Sequence, residues 1–201
     1  MDRIPEHLLF PDQYVTEPPE GHCAHPRGWL WLECPHGSLF VQPMRCHWCR
    51  ACRDADRRRV VTRILAGTAL STRSAMLTLT TRGRRPWPWI MRKWQSMARW
   101  LRTKNPAMAY CCVKEEGKRH GMRHLHVILL NWSYVPQAHV SAEWRKLTGS
   151  YVVWIAAVTG PEAAAYAGKY LRKSARTATR TVNFSRFWPR PPAGPTMRLL
   201  G

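Results

Sequence analysis

His124 and His126 stand two residues apart at the start of an apolar run that continues through Leu130. Side chains at i and i+2 of a strand leave the same face, so both imidazoles point one way while Leu125 and Val127 point the other. Two imidazoles so placed are half of a site for a divalent cation. A cation that binds a phosphodiester and leaves room for a nucleophile takes about three protein ligands of mixed nitrogen and oxygen. The third should be a nearby carboxylate. Acids are scarce, but Glu115 and Glu116 close the strand-like run from Met108 to Lys114, just before the turn-forming stretch Gly117-Lys118-Arg119-His120-Gly121. A hairpin there sets one of the two glutamates across from the histidines, and strand parity alone does not choose between them.

Some forty residues on, Tyr166 and Tyr170 are spaced i, i+4, which on a helix puts them on one face a single turn apart. The stretch Pro161-Glu162-Ala163-Ala164-Ala165, with proline in the first turn, predicts that helix. Both phenols can then reach one site and attack a phosphate in alternation. A phenol with a pKa of about 10 is a weak nucleophile at neutral pH, so a polarised phosphate and a cation such as Lys169 or Lys173 must favour the phenolate.

The elements that must carry these residues follow from hydrophobic period. Residues to about 30 read as an irregular, proline-containing lead, followed by a cysteine-rich segment. Asp54 to Leu70 lacks proline and spaces Val60, Val61, Ile64 and Leu65 for a helix, with Arg57, Arg58, Arg59 and Arg63 on its exposed side. Met76 to Thr81 predicts a strand. Ile90 to Leu101 predicts an amphipathic helix with Ile90, Trp94, Met97, Ala98 and Leu101 inward, and Met108 to Lys114 and His124 to Leu130 predict two more strands. A helix near Pro136 to Leu147, a strand from Tyr151 to Val158 and the tyrosine helix follow. The order β-α-β-β-α-β-α describes an α+β fold, a split βαβ antiparallel sheet with flanking helices and the histidine strand at its centre. From Thr177 to Gly201, four prolines after Trp188 and several arginines predict an extended basic tail. Three parts result: an N-terminal lead and cysteine module (1–52), the sheet domain (53–176) and the tail (177–201).

Five cysteines precede the sheet domain. Cys46-His47-Trp48-Cys49-Arg50-Ala51-Cys52 forms two overlapping Cys-x-x-Cys pairs. With Cys34 upstream, Cys34, Cys46, Cys49 and Cys52 can supply four thiolates to a tetrahedral zinc. Competing readings are Cys23, His25 or His36 as substitute ligands, an iron–sulfur cluster, or reduced free thiols. Cys111 and Cys112 lie in an apolar strand and read as core.

A chain of 201 residues with 45% hydrophobic content suits one ordinary domain with an appendage, not a disordered basic tail. Thirty-two Lys and Arg against twelve Asp and Glu leave a net charge of +20, a balance that favours a nucleic-acid partner and makes affinity strongly salt-dependent. Eleven tryptophans set the chain apart from histone-like or ribosomal proteins and, with the arginines, can stack and clamp single-stranded bases. No stretch approaches the roughly eighteen apolar residues of a membrane span. The start, Met1-Asp2-Arg3-Ile4-Pro5-Glu6, lacks a signal-peptide core. A cytoplasmic location without a membrane partner is expected, and there the cysteines are not a disulfide framework.

Taken in order, Thr78-Leu79-Thr80-Thr81, Glu115 before a glycine-rich turn, Arg123-His124-Leu125-His126-Val127-Ile128-Leu129 and Tyr166-Ala167-Gly168-Lys169-Tyr170-Leu171-Arg172-Lys173 resemble the three ordered motifs of HUH endonucleases. The set is similar to that of the two-tyrosine rolling-circle replication initiators of small single-stranded DNA phages of the microvirus type, over roughly Cys34 to Lys173. The resemblance implies an HUH endonuclease-like fold and a nickase that becomes covalently attached to a new 5′ phosphate at a single-stranded DNA origin. It implies that His124, His126 and Glu115 hold catalytic Mg²⁺ or Mn²⁺, and that Tyr166 and Tyr170 are paired nucleophiles. A host polymerase would extend the freed 3′-OH, and a host helicase is a further expected partner, in the host cytoplasm where a phage encodes the chain. Cys46, Cys49, Cys52 and Arg53 match a Cys-x-x-Cys-x-x-Cys-Arg stretch of those initiators. One departure is that Glu116 follows Glu115 directly, so both remain candidates for the third ligand. Two other functions share features with this reading. A two-tyrosine HUH transposase would recognise transposon ends, and a non-catalytic zinc-containing nucleic-acid-binding protein would bind DNA without metal-dependent cleavage.

Overall fold

A computed structural model describes residues 23, 25–33, 35–117, 121–173, 182–189 and 198–200, with residues 40, 170–173 and 198–200 described by their backbone alone. The chain forms two compact units, residues 1–56 with 194–201, and residues 57–193.

In the first unit, β1 (Trp29–Glu33) pairs antiparallel with β2 (Leu39–Pro43) on one side and with β8 (Arg198–Leu200) on the other. This small sheet stands where an irregular lead is expected from the sequence. Its signal is present: the runs Trp29-Leu30-Trp31-Leu32 and Leu39-Phe40-Val41 flank Pro35-His36-Gly37-Ser38, and Gly37 takes the left-handed conformation a tight turn uses (φ 80°). The unit also holds the start of α1 (Arg50–Ala69).

The second unit is built on a five-stranded antiparallel sheet. Its strands are β3 (Ser74–Thr80), β4 (Ala109–Glu116), β5 (Arg123–Leu130), β6 (Val153–Ala157) and β7 (Val182–Phe184). Their order is β6-β3-β5-β4-β7, so the histidine strand β5 is central, as expected. One face is covered by α2 (Trp87–Lys104) and α3 (Gln137–Thr148). There Leu77, Leu79, Leu125, Val127 and Leu129 pack with Trp94, Leu101, Val140 and Trp144. The inward stripe of α2 is Ile90, Trp94, Met97, Ala98 and Leu101, the residues that its 3.6-residue period selects. On the other face Met76, Cys111, Val113 and Ile128 meet Ile64 of α1 and Ala163, Ala164 and Ala167 of α4 (Gly160–Lys173). Cys111 and Cys112 are fully buried, in keeping with a core role. No helix among the described residues is long and apolar enough to cross a membrane.

The segment read from sequence as an extended tail is in part structured. β7 pairs with β4 through Cys111↔Phe184, Cys112↔Asn183 and Val113↔Val182, and Trp188 is buried against α1, donating its indole N–H to Arg63 O (3.1 Å). A three-residue strand followed by prolines carries almost no local period, so only the long-range pairing reveals it. Gly67 makes room for that indole, since an added Cβ would lie 2.7 Å from Trp188 ring atoms. Gly67→Ala is therefore expected to lower stability by about 1–3 kcal/mol through overpacking, measured by thermal or urea unfolding. An unchanged midpoint would contradict this packing.

Candidate functional site

Two helices and three strands converge on β5. Its alternation sends Leu125, Val127 and Leu129 into the α2/α3 core, and His124, His126 and Ile128 to the α1/α4 side. The β4–β5 hairpin pairs Glu115 with His124 and Val113 with His126. Direct partners share a face, so Glu115 joins the two histidines and Glu116 points away from them. The carboxylate of Glu115 accepts from His126 Nε2 at 2.7 Å, both side chains being largely buried. Glu116 instead lies 3.5 Å from Arg84 and 3.8 Å from Arg123. The parity that the sequence left open is thus set by the length of the turn between the strands.

On the other side of β5, β3 brings two hydroxyls. Thr78 pairs with His126 and Thr80 with His124. Thr78 Oγ1 is 3.1 Å from His126 Nδ1, and Thr80 Oγ1 is 3.0 Å from His124 Nδ1. Each ring is held at Nδ1 by a group that can both donate and accept, so the hydroxyls fit either tautomer and leave Nε2 turned toward the Glu115 side. Thr80 is itself anchored: its carbonyl accepts from Trp144 Nε1–H (2.9 Å) and Ser150 O–H (2.7 Å). Close to His124, Gly117 leaves space that a side chain would fill, its added Cβ falling 3.2 Å from His124 Nε2. The sequence reading assigns no such role to Thr78, Thr80 or Gly117. A signal for the threonines is available in the matching i, i+2 spacings of Thr78/Thr80 and His124/His126.

α4 delivers the phenol. Thr159 and Glu162 form a capping box: Thr159 N–H donates to Glu162 Oε2 (2.7 Å) and Glu162 N–H to Thr159 Oγ1 (3.4 Å). The Thr159 backbone bond, then its hydroxyl, hold the Glu162 carboxyl below its usual range. One turn on, Tyr166 donates its O–H to His126 Nδ1 at 3.0 Å, with the rings edge-on and centroids 5.1 Å apart. Tyr166 and Thr78 thus address the same ring nitrogen, whose single lone pair accepts one of them at a time. The tyrosine can leave for a substrate while the threonine keeps the ring oriented. Tyr170 follows by one helical turn on the α4 backbone, and its side chain lies outside the described residues, as does that of Lys173. Lys169 is exposed on α4.

The first unit holds a second cluster. Cys23, Cys46, Cys49 and Cys52 bring their sulfurs within 4.8 Å of one another, the one such set of ligand atoms among the described residues. The histidine–glutamate group is therefore the more open of the two. Sγ–Sγ separations are 3.9 Å for Cys46–Cys52 and 4.0 Å for Cys23–Cys49. A tetrahedron with bonds of about 2.3 Å has edges of about 3.8 Å, so the cluster is compatible with zinc. Backbone N–H groups of Cys49 and Cys52 point at the sulfurs of Cys46 (3.3 Å) and Cys49 (3.4 Å), as suits thiolates. Without a metal, burial above all, with the neighbouring thiols adding to it against the His47 backbone bond, pushes Cys52 up to about 12. Cys23, a substitute ligand in the sequence reading, is the fourth thiol here. Cys34, expected in that place, lies outside the described residues.

Comparison with known proteins bears on the second unit. No curated protein matches the chain. A solved structure similar to it is that of the hypothetical protein ORF119 from Sulfolobus islandicus rod-shaped virus 1, at 13% identity and a TM-score of 0.46, covering 61% of this chain and 99% of that one. The family model for replication-associated protein ORF2 matches residues 74–175, half of the chain, from the first residue of β3 to just beyond α4. With β3, β4, β5 and α4 all inside that match, the chain belongs to the replication-associated protein ORF2 family.

Proposed function

We propose that this replication-associated protein is an HUH-type, two-tyrosine initiator that nicks single-stranded origin DNA and rejoins it in rolling-circle replication. The observation that carries the reading is the convergence on His126: Glu115 at Nε2, Thr78 and the Tyr166 phenol at Nδ1. A carboxylate, two imidazoles and a phenol at the centre of a basic protein's sheet are the groups that phosphodiester transfer needs.

The donor set of His124, His126 and Glu115, two nitrogens and a carboxylate in an open arrangement, fits Mg²⁺ or Mn²⁺ better than a closed structural site. When bound there, such a cation supplies charge neutralisation on the scissile phosphate. The chain's own residues do the rest. Thr78 and Thr80 fix the two rings, and α4 holds Tyr166 beside them, so the nucleophile is positioned before the substrate arrives. Lys169, on the same helix, favours the phenolate by its charge. The phenolate oxygen forms the new O–P bond as the P–O3′ bond breaks. The 5′ phosphate stays on the tyrosine, and the 3′ oxygen takes a proton from water and leaves as a free 3′-OH. Tyr170, one turn away, can repeat the attack after a round of synthesis and release a circularised strand.

The direct test is cleavage of an end-labelled single-stranded DNA pool with Mn²⁺ or Mg²⁺. Discrete products that EDTA prevents are expected, and salt-sensitive binding without cleavage would contradict the proposal. Thr78→Val keeps the shape of the side chain and removes its hydroxyl. It is expected to lower Mn²⁺ affinity and the cleavage rate about 10–100-fold with little change in melting temperature. Wild-type metal affinity in that variant would remove Thr78 from the mechanism.

A further inference from the structure

The edge strand β6 carries a residue that neither hydrophobic core uses. Val153 is buried with the α2/α3 core and Ile155 packs against it, but Trp154 belongs to neither cluster and remains 52% exposed. Its position is defined by register. Trp154 pairs directly with Thr78, and Thr78 pairs directly with His126. Direct partners share a face, so the indole stands on the same face as the histidines, two strand spacings from His126, or about 10 Å. Its neighbours continue the pattern. Val152, two residues earlier and on the same face, is 51% exposed, and its carbonyl accepts from Thr80 N–H at 3.1 Å. Tyr151 is 68% exposed and lines a surface hollow with Arg145 and Lys146, the basic last turn of α3.

An exposed indole on a strand is a cost to solubility, and three large apolar side chains exposed within four residues are more than scattered surface composition supplies. Aromatic rings interleaved with cations, in a chain of net charge +20, are the arrangement on which unpaired bases stack while their phosphates meet the positive charges. We infer that Trp154 is the stacking platform for an unpaired base flanking the scissile phosphate, with Val152 and Tyr151 widening the platform and Arg145 and Lys146 holding the phosphates beyond it. The substrate strand would then run from the His124/His126/Glu115 centre across Thr78 and Thr80 to the β6 edge. This rests on the nicking reading above and adds to it the path of the strand. Stacking on an aromatic ring tolerates every base, so Trp154 sets affinity and register more than sequence preference.

The test uses the full chain and a random-sequence single-stranded DNA pool with 5-iodouracil in place of thymine. Bound in EDTA so that no cleavage occurs, the complex is irradiated, and crosslinked peptides are identified by mass spectrometry. A crosslink at Trp154 is expected. In parallel, Trp154→Ala is expected to weaken binding roughly tenfold to a hundredfold, the range of a lost base–aromatic stack, while Trp154→Phe retains most of the affinity. Melting curves show that both variants are folded. Crosslinks confined to other residues, or wild-type affinity in the folded Trp154→Ala protein, would overturn the platform and assign the exposed edge to a protein partner. Adduct formation by the wild-type protein with Mn²⁺ is scored separately. Its absence removes the nicking reading and this inference with it, whereas an adduct together with an unaffected Trp154→Ala variant removes only this inference.

Discussion

A protein carrying both Tyr166→Phe and Tyr170→Phe is expected to form no covalent adduct with DNA, its transfer rate falling by roughly three orders of magnitude or more. Each single change should leave partial cleavage or joining, because two phenols one helical turn apart serve one centre. The structure separates this chemical loss from a folding defect. Tyr166 contributes one hydrogen bond, to His126 Nδ1, and Thr78 stands 3.1 Å from the same atom to replace it, so the cost to stability is about 1 kcal/mol. DNA affinity should persist, since it resides in the basic and aromatic surface. The decisive comparison is adduct yield against binding for wild type, both single variants and the double variant. Full adduct yield in the double variant would exclude both tyrosines as nucleophiles.

Loss of metal from the cysteine cluster is the second large effect. Among the described residues of the first unit the one buried cluster is Cys23, Cys46 and Cys52 with Cys49 packed against it. A unit of this size without an apolar core depends on a staple, and structural zinc in small modules is worth about 10–16 kcal/mol at neutral pH. Purified protein is expected to contain zinc, and a strong chelator, or serine in place of Cys23 or Cys52, should unfold this unit. The pH dependence has a definite sign. Binding requires deprotonated thiols, and without metal Cys52 lies at about 12, so acidification returns protons to the sulfurs and releases the ion. Elemental analysis and near-UV circular dichroism across a pH series read both effects. A metal-free protein whose spectrum is indifferent to chelators would refute the staple.

What could be read in advance depended on how locally each feature is encoded. The inward face of α2 follows from one turn repeating, and Ile90, Trp94, Met97, Ala98 and Leu101 are all buried. The central place of β5 follows from its continuous apolar run, since an interior strand is covered on both faces. Features that depend on distant partners were not legible. The choice between Glu115 and Glu116 depends on hairpin register, where a slip of one residue would exchange their faces. Cys23 joins thiols that begin twenty-three residues later, and nothing near Cys23 or Cys34 states which of them closes the tetrahedron. β7 and Trp188 owe their positions to β4 and to the gap at Gly67, so a segment whose composition reads as tail is held to the domain by two long-range fits. Thr78 and Thr80 were visible as a motif, but their work appears only when β3 is paired with β5.

The central claim, that this centre transfers DNA to tyrosine, is tested most directly by one measurement. Protein is incubated with single-stranded DNA and Mn²⁺, the DNA is digested, and the modified peptide is identified by mass spectrometry. A phosphotyrosine linkage to nucleotide at Tyr166 or Tyr170, absent when EDTA is present, is the predicted result. Tight binding with no linkage at either tyrosine, across sequence-diverse substrates, would contradict it and leave a DNA-binding protein whose histidines and tyrosines serve the fold.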